Sequence, residues 1–367
     1  MRTETQATGS VSATARPVTG TKRNSSRRSF LSLLLWIALL LALAGLFRAL
    51  LASDQQPPAS PPPSPHAKNG QYTIRVAVEM VVLHATVENR KGVHVSDLTK
   101  ENFQVYEDRV LQQIKTFIHE DIPVTVGLVV DNSGSMRPKR ADVTAAALAF
   151  ARSSNPSDEM FVVNFNENVS FGLAADTPFT DQVPQLELAL SRIKADGRTA
   201  LYDAVAAALD HLKRAHRDKK VLIVITDGGD NASSQTLDAV TDMAIKSDAI
   251  VYAIGLFDEV DPDRNPRALK RLATATGGEA FLPESLQDVL PVCEHIAHDI
   301  RTQYAITYLP ANQKQDGTYR AIQVKAKTPG FGRLSVRTRP GYYAPNPPPA
   351  PPMSINGVNT EGHEERR

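Results

Sequence analysis

Asp131, Ser133 and Ser135 stand at alternate positions in Val-Val-Asp-Asn-Ser-Gly-Ser-Met, directly after the apolar run Val124–Val130. Three oxygen side chains at i, i+2 and i+4 turn inward around a hard cation, and Gly134 lets the backbone fold tightly between them. Two later segments offer further oxygens. Asp196-Gly197-Arg198-Thr199 precedes a helical pattern, so Thr199 is expected to act as both helix N-cap and ligand. Asp227 follows a second buried apolar run, Val221–Ile225. The set Asp131, Ser133, Ser135, Thr199 and Asp227 has two carboxylates and three hydroxyls, with no His or Cys. All-oxygen ligation of this kind suits Mg2+ or Mn2+ over Zn2+. Two carboxylates only balance a divalent ion. A carboxylate from another molecule then takes an open coordination position at little repulsive cost, which is a binding chemistry.

The elements that must position these residues read as an α/β region. Val124–Val130, Val221–Ile225 and Ile250–Leu256 are continuous apolar runs, as in strands covered on both faces. Met160–Phe165, Val169–Leu173 and the weaker Glu279–Leu282 are expected strands, with helices near 138–153, 186–193, 200–215, 235–247, 265–275 and 285–301. Alternating strands and helices predict a doubly wound α/β sheet, whose ligands bind beyond the carboxyl ends of the strands. On either side the pattern has period two. Val81, Leu83, Ala85 and Val87 alternate after a phase switch near 81 from Ile74, Val76 and Val78. Phe103–Tyr106 and Ile114–Ile118 are further short strands. Tyr304–Tyr308, Ile322–Ala326 and Leu334–Thr338 alternate again, with Thr328-Pro329-Gly330 as the turn of a last hairpin. The two β segments, 71–120 and 302–343, are expected to pair into one β-sandwich interrupted by the α/β domain at 121–301.

With these residues in place, the sequence resembles the von Willebrand factor type A (VWA) domain and its metal-ion-dependent adhesion site. Asp131, Ser133 and Ser135 match the first motif element, Thr199 the second and Asp227 the third, over about 122–300. The flanks "KENFQVYEDRVLQQIKTF" (100–117) and "RPGYYAP" (339–345) resemble the bacterial group of VWFA-related acidobacterial domain proteins. The resemblance implies a Rossmann-like domain, Mg2+ at the site and protein–protein or adhesive binding. Ser133, Ser135 and Thr199 would hold the ion, with Asp131 and Asp227 partly through water, and the ion would capture an Asp or Glu of a protein partner.

The N-terminus sets the expected compartment. Residues 1–28 carry six basic groups against Glu4, and Phe30–Phe47 holds eighteen residues without a charge. A basic stretch followed by such a run predicts a cytoplasmic N-terminus (1–29), a single signal-anchor helix (30–51) and the bulk of the chain in the periplasm. A cleaved signal is the competing reading; the cut after Ala52 would leave a secreted protein, but Leu50 and Arg48 suit cleavage poorly. Ser26-Arg27-Arg28-Ser29-Phe30-Leu31 also resembles a twin-arginine export motif. Six of the 25 prolines lie in 57–65 and six in 345–352. The first group reads as a spacer within a linker at 52–70, up to about 45 Å long at about 3.1 Å per residue. The second lies in a disordered tail, 344–367.

Composition excludes several other functions. The chain has 367 residues, 41 basic against 40 acidic, so a general polyanion binder is not expected. The single cysteine, Cys293, rules out an intramolecular disulfide framework and a multi-cysteine metal site. An aspartyl phosphotransferase on Asp131 would want a second Asp at i+2, where Ser133 stands, and a hydrolase elbow would want Gly on both sides of its serine. Cys293-x-His295-x-x-His298 reads as a surface helix with scattered histidines, and Asp258–Asp263 as a solvated acidic loop. Lys325, Lys327, Arg333, Arg337 and Arg339 read as a solvated strand face. The expectation is therefore a membrane-anchored, non-enzymatic binding protein without a nucleic-acid partner and of unspecified oligomeric state. The alternative is an envelope assembly module whose metal site only stabilises its loops.

Overall fold

The computed structural model describes residues 80–258 and 262–346. The expected anchor at 30–51, the proline-rich linker, the alternating positions Ile74, Val76 and Val78 and the tail beyond 346 lie outside the described residues. Among the described residues, no helix is long and apolar enough to cross a membrane.

Four strands come first: β1 (Val81–Glu88), β2 (Phe103–Glu107), β3 (Val110–Gln112) and β4 (Ile114–Ile118). The α/β region runs through β5 (Val124–Asp131), α1 (Arg140–Ser153), β6 (Glu159–Phe165), β7 (Val169–Phe171), α2 (Val183–Ser191) and α3 (Leu201–His211). It continues with β8 (Lys219–Thr226), α4 (Leu237–Lys246), β9 (Ile250–Gly255), α5 (Pro266–Thr276), β10 (Ala280–Phe281) and α6 (Val289–Thr302). The chain then returns to β structure in β11 (Tyr304–Tyr308), β12 (Tyr319–Ala326), β13 (Ser335–Arg337) and β14 (Gly341–Tyr343).

The central sheet has six strands in the order β10-β9-β8-β5-β6-β7, parallel except for the edge strand β7. Every residue of β5 is buried. Alternation along the strand divides its side chains between two cores. Val126, Leu128 and Val130 pack with Phe150 of α1, Leu186 of α2 and Ile296 of α6. Val129 packs on the other face with Val205 of α3, Val240 of α4 and Leu272 of α5. Gly127 also faces that second core, where a Cβ would stand 2.4 Å from Cζ of Phe161 and 2.5 Å from Cδ2 of Leu222. The chain leaves β5 to one side for β6 and later returns on its other side as β8. The strand order therefore reverses at β5 and β8, the place where open α/β sheets form a ligand crevice.

The flanking strands form two further sheets, β13-β1-β11-β4 and β14-β12-β2-β3, each of four strands. Both sheets combine strands from before and after the α/β region: β1 pairs with β11, and β2 with β12, in each case antiparallel. Leu83, Val105, Ile306 and Val324 share one apolar core drawn from both sheets. One expectation is corrected here. The strands on either side of Thr328-Pro329-Gly330 do not form a hairpin, because β12 pairs with β2 and β14 while β13 crosses to the other sheet and pairs with β1. The apolar alternation at Leu334–Thr338 shows a strand but does not reveal its partner. The short strands β3 and β14 were not expected, since neither is long enough to show a period.

Candidate metal centre

Asp131 is the last residue of β5, and Asp227 directly follows the last residue of β8. Register pairs Val130 with Ile225, so the two strands end side by side. After Asp131 the chain makes a single 3-10 turn, Gly134–Met136, with Ser133 at its N-cap. The Asp131 carboxylate organises this turn: Oδ1 accepts from the Ser133 amide at 2.7 Å, and Oδ2 accepts from the Thr226 hydroxyl at 2.5 Å. Ser133 and Ser135 place their hydroxyl oxygens 3.1 Å apart, and Ser135 Oγ donates to Asp227 Oδ1 at 2.8 Å. Four of the five expected residues are thus linked across the ends of β5 and β8, Asp131 to Ser133 through the Ser133 amide and Ser133 through Ser135 to Asp227 through side-chain oxygens. Asp131, Ser133 and Asp227 are buried, whereas Ser135 is exposed to solvent.

Thr199 arrives on a separate loop that is tied to both of the others. Its amide donates to Asn231 Oδ1 at 2.9 Å, and its carbonyl accepts from the amides of Asn231 and Ala232. On the other side, the Gly134 amide donates to the Gly197 carbonyl at 3.1 Å, and the Asp196 amide to the Asn132 carbonyl at 2.9 Å. Gly197 makes this turn at φ 79°, a conformation that favours glycine. Thr199 is buried, and a Cβ on Gly228 would lie 3.6 Å from its Oγ1. Thr199 is not the helix N-cap. That position belongs to Ala200, which has no capping side chain. The first amides of α3 are instead satisfied by the loop after β8: Tyr202 donates to Asp230 Oδ1 at 3.1 Å and Asp203 to Ser233 Oγ at 3.0 Å.

Burial pushes the Asp131 carboxyl up to about 6, and the nearby Asp227 charge adds to this against the hydrogen bonds from Thr226 and Ser133. A cation bound beside this buried carboxylate would favour its charged form. The donor set, oxygen throughout with two carboxylates, fits a hard divalent ion. Among the described residues, no group of three or more His, Cys, Asp or Glu side chains is placed to hold a metal. The expected ligand set therefore depends on the hydroxyls of Ser133, Ser135 and Thr199 as well as on the two carboxylates.

Lys139 was not anticipated. It lies in the basic run Arg137-Pro138-Lys139-Arg140, at the start of the helix expected near 138–153, and it is buried. Its ammonium donates to Asp227 Oδ2 at 2.7 Å, to Asp258 Oδ2 at 2.9 Å and to the Leu256 carbonyl at 3.0 Å. Burial works against the charge, but the hydrogen bonds and charges of Asp227 and Asp258 outweigh it and raise the Lys139 pKa. Asp258 thus has a specific partner, and Asp263 accepts from Asn231 Nδ2 at 3.1 Å, so both described ends of the acidic loop belong to the surroundings of the site.

The remaining candidates have structural roles. Cys293 is buried in the core, where burial pushes its thiol up to about 12. His298 stacks against His94 with ring centroids 5.1 Å apart. Arg337 and Arg339 do not form a solvated strand face: Arg337 pairs with Asp299 at 2.8 Å and Glu279 at 3.2 Å, and Arg339 pairs with Asp248.

Residues 126–229 match the family model of the von Willebrand factor type A domain. This span runs from β5 to the loop that carries Asp227. No curated protein matches the chain. Among solved structures, a von Willebrand factor type A protein from Catenulispora acidiphila is 15% identical with a TM-score of 0.45, over 71% of this chain and 73% of that one. The conserved hypothetical protein BatB from Bacteroides thetaiotaomicron is 17% identical with a TM-score of 0.39, over 48% of this chain and 98% of that one. Proximal thread matrix protein 1 from the mussel byssus, solved with a zinc-occupied MIDAS motif, is 15% identical with a TM-score of 0.43, over 52% of this chain and 48% of that one.

Proposed function

We propose that this chain is a membrane-anchored, extracytoplasmic VWA protein of the acidobacterial type, which binds a protein partner through a divalent cation. Asp131, Ser133, Ser135, Thr199 and Asp227 hold Mg2+ or Mn2+, and an Asp or Glu of the partner completes the coordination. The observation that carries this reading is the connected run from Asp131 through Ser133 and Ser135 to Asp227, buried at both carboxylates and open to solvent at Ser135. The bound ion supplies a Lewis-acidic point of attachment. The protein's own residues orient the hydroxyls, hold the three loops together and leave one side open. Asn231 and Thr226 carry no ligand role; they fix Thr199 and Asp131 by hydrogen bonds.

The alternative reading is an assembly module whose ion only stabilises the loops. One observation favours it: Lys139 already compensates Asp227 by direct contact, so the loops have a counter-charge of their own. Calorimetric titration of Mg2+ and Mn2+ into the chain, beside Asp131→Ala and Ser133→Ala, tests the site. Saturable binding in the parent and its loss in both folded variants is expected; a silent, folded parent overturns the reading. Partner capture that EDTA abolishes while the fold persists separates binding from a purely structural role.

A further inference from the structure

We infer that Lys139 sets the net charge of the metal centre, weakening its hold on the free cation and making an anionic partner necessary for neutrality. This rests on the cation reading above and extends it to the specificity of the same site.

An ammonium has three N–H donors, and Lys139 has three acceptors: Asp227 Oδ2 at 2.7 Å, Asp258 Oδ2 at 2.9 Å and the Leu256 carbonyl at 3.0 Å. The side chain is 8% exposed, so solvent screens its charge little. Asp258 is 63% exposed, and its charge is correspondingly screened. Lys139 therefore occupies one oxygen of Asp227 and leaves the other, Oδ1, on the side of Ser135.

The charge balance follows. Asp131 and Asp227 alone would just neutralise a divalent ion. With Lys139 among them, the buried groups carry one net negative charge, and the loaded centre is left with one net positive charge. A carboxylate entering beside Ser135 brings it to zero. Without Lys139 the ion alone would do so, and the same carboxylate would leave an excess negative charge in a largely buried place. The lysine thus trades affinity for the bare ion against affinity for the ion together with an anion. Its selectivity is electrostatic and favours an acidic side chain over a neutral amide or hydroxyl.

The test is calorimetric titration of Mg2+ into the full chain and into Lys139→Met, Asp258→Asn and the double variant, each checked for fold by circular dichroism and melting. Methionine keeps the length of the side chain and removes the charge. Lys139→Met is expected to bind Mg2+ at least tenfold more tightly, which corresponds to about 1.4 kcal/mol. Asp258→Asn releases the lysine toward Asp227 and is expected to weaken binding about threefold, an effect that disappears in the Lys139→Met background. If the parent binds Mg2+ and folded Lys139→Met binds it equally or less tightly, the inference falls while the cation reading stands. If neither binds, both fall. A silent parent with a saturable Lys139→Met supports the inference and overturns the reading of a metal-loaded parent. Should Lys139→Met fail to fold, Asp258→Asn, whose side chain is 63% exposed, decides alone once its fold is confirmed by circular dichroism; unchanged Mg2+ affinity there overturns the inference.

Discussion

The Thr86 hydroxyl donates to the Asp299 carboxylate at 2.6 Å, joining residues 213 positions apart. Thr86 belongs to β1 of the sandwich and Asp299 to α6 of the α/β region. The same carboxylate accepts from the Tyr252 hydroxyl of β9 at 2.5 Å and from Arg337 of β13 at 2.8 Å. Burial alone would raise the Asp299 pKa, but the Arg337 charge and the hydrogen bonds reverse this and hold it below the usual carboxylate range. One buried anion thus fastens the β-sandwich to the sheet that carries the candidate metal centre.

Removing Arg337 leaves that anion without its cation. Arg337→Met is expected to destabilise the protein by about 3 kcal/mol, because the loss of one partner strands a buried charge. Urea denaturation at pH 7 measures it. A loss below about 1 kcal/mol would show that the hydroxyls of Thr86 and Tyr252 suffice.

Thr226 plays the corresponding part at the candidate metal centre. Its hydroxyl is 2.5 Å from Asp131 Oδ2, and both residues are buried. Thr226→Val keeps the shape and removes the donor, so about 1–3 kcal/mol of stability should be lost in the absence of metal. Thr226→Ser, which retains the hydroxyl, should lose less. A negligible loss in Thr226→Val beside a clear loss in Thr226→Ser would mean that packing of the methyl group, rather than the hydrogen bond, matters here.

A ligand that binds only the native state stabilises it by mass action. At a Mg2+ concentration one hundred times its dissociation constant, the gain is about 2.7 kcal/mol. The urea midpoint of the parent should rise accordingly and fall back with EDTA, whereas Asp131→Asn should show no gain. Stabilisation of Asp131→Asn to the same degree would place the ion elsewhere on the protein.

The positions of Asp131 and Asp227 were legible because they depend on a local rule. A β-branched apolar run ends, polar residues with glycine follow, and parallel strands put such ends together at a crevice. The inward set Val81, Leu83, Ala85 and Val87 was legible for the same reason, and all four are buried. What escaped depends on contacts distant in sequence. Lys139 meets Asp258 across 119 residues, and Asp230 caps α3 across 28. The crossing of β13 to the sheet of β1 is likewise a choice of partner, which alternation along one strand does not encode. Arg337 and Arg339 look solvated for the same reason; their carboxylate partners, Asp299 and Asp248, lie in the α/β region.

His84, half-buried in β1, gives the last prediction. Its pKa is lowered to about 3, chiefly by burial and then by the positive charges of Lys219 and Arg339. In the unfolded chain the imidazole takes its proton near the ordinary value of 6.5. Between these values the unfolded state binds the additional proton, so stability falls as the pH falls from 6.5 toward 3. The limiting slope for one group is about 1.4 kcal/mol per pH unit. His84→Gln has no proton to gain and should lose less stability than the parent between pH 7.5 and pH 5, by about 1–2 kcal/mol. Urea midpoints at pH 7.5, 6 and 5 for both proteins provide the comparison. Parallel curves would show that the parent accommodates a charged His84 beside Lys219 and Arg339, and that its acid sensitivity has another source.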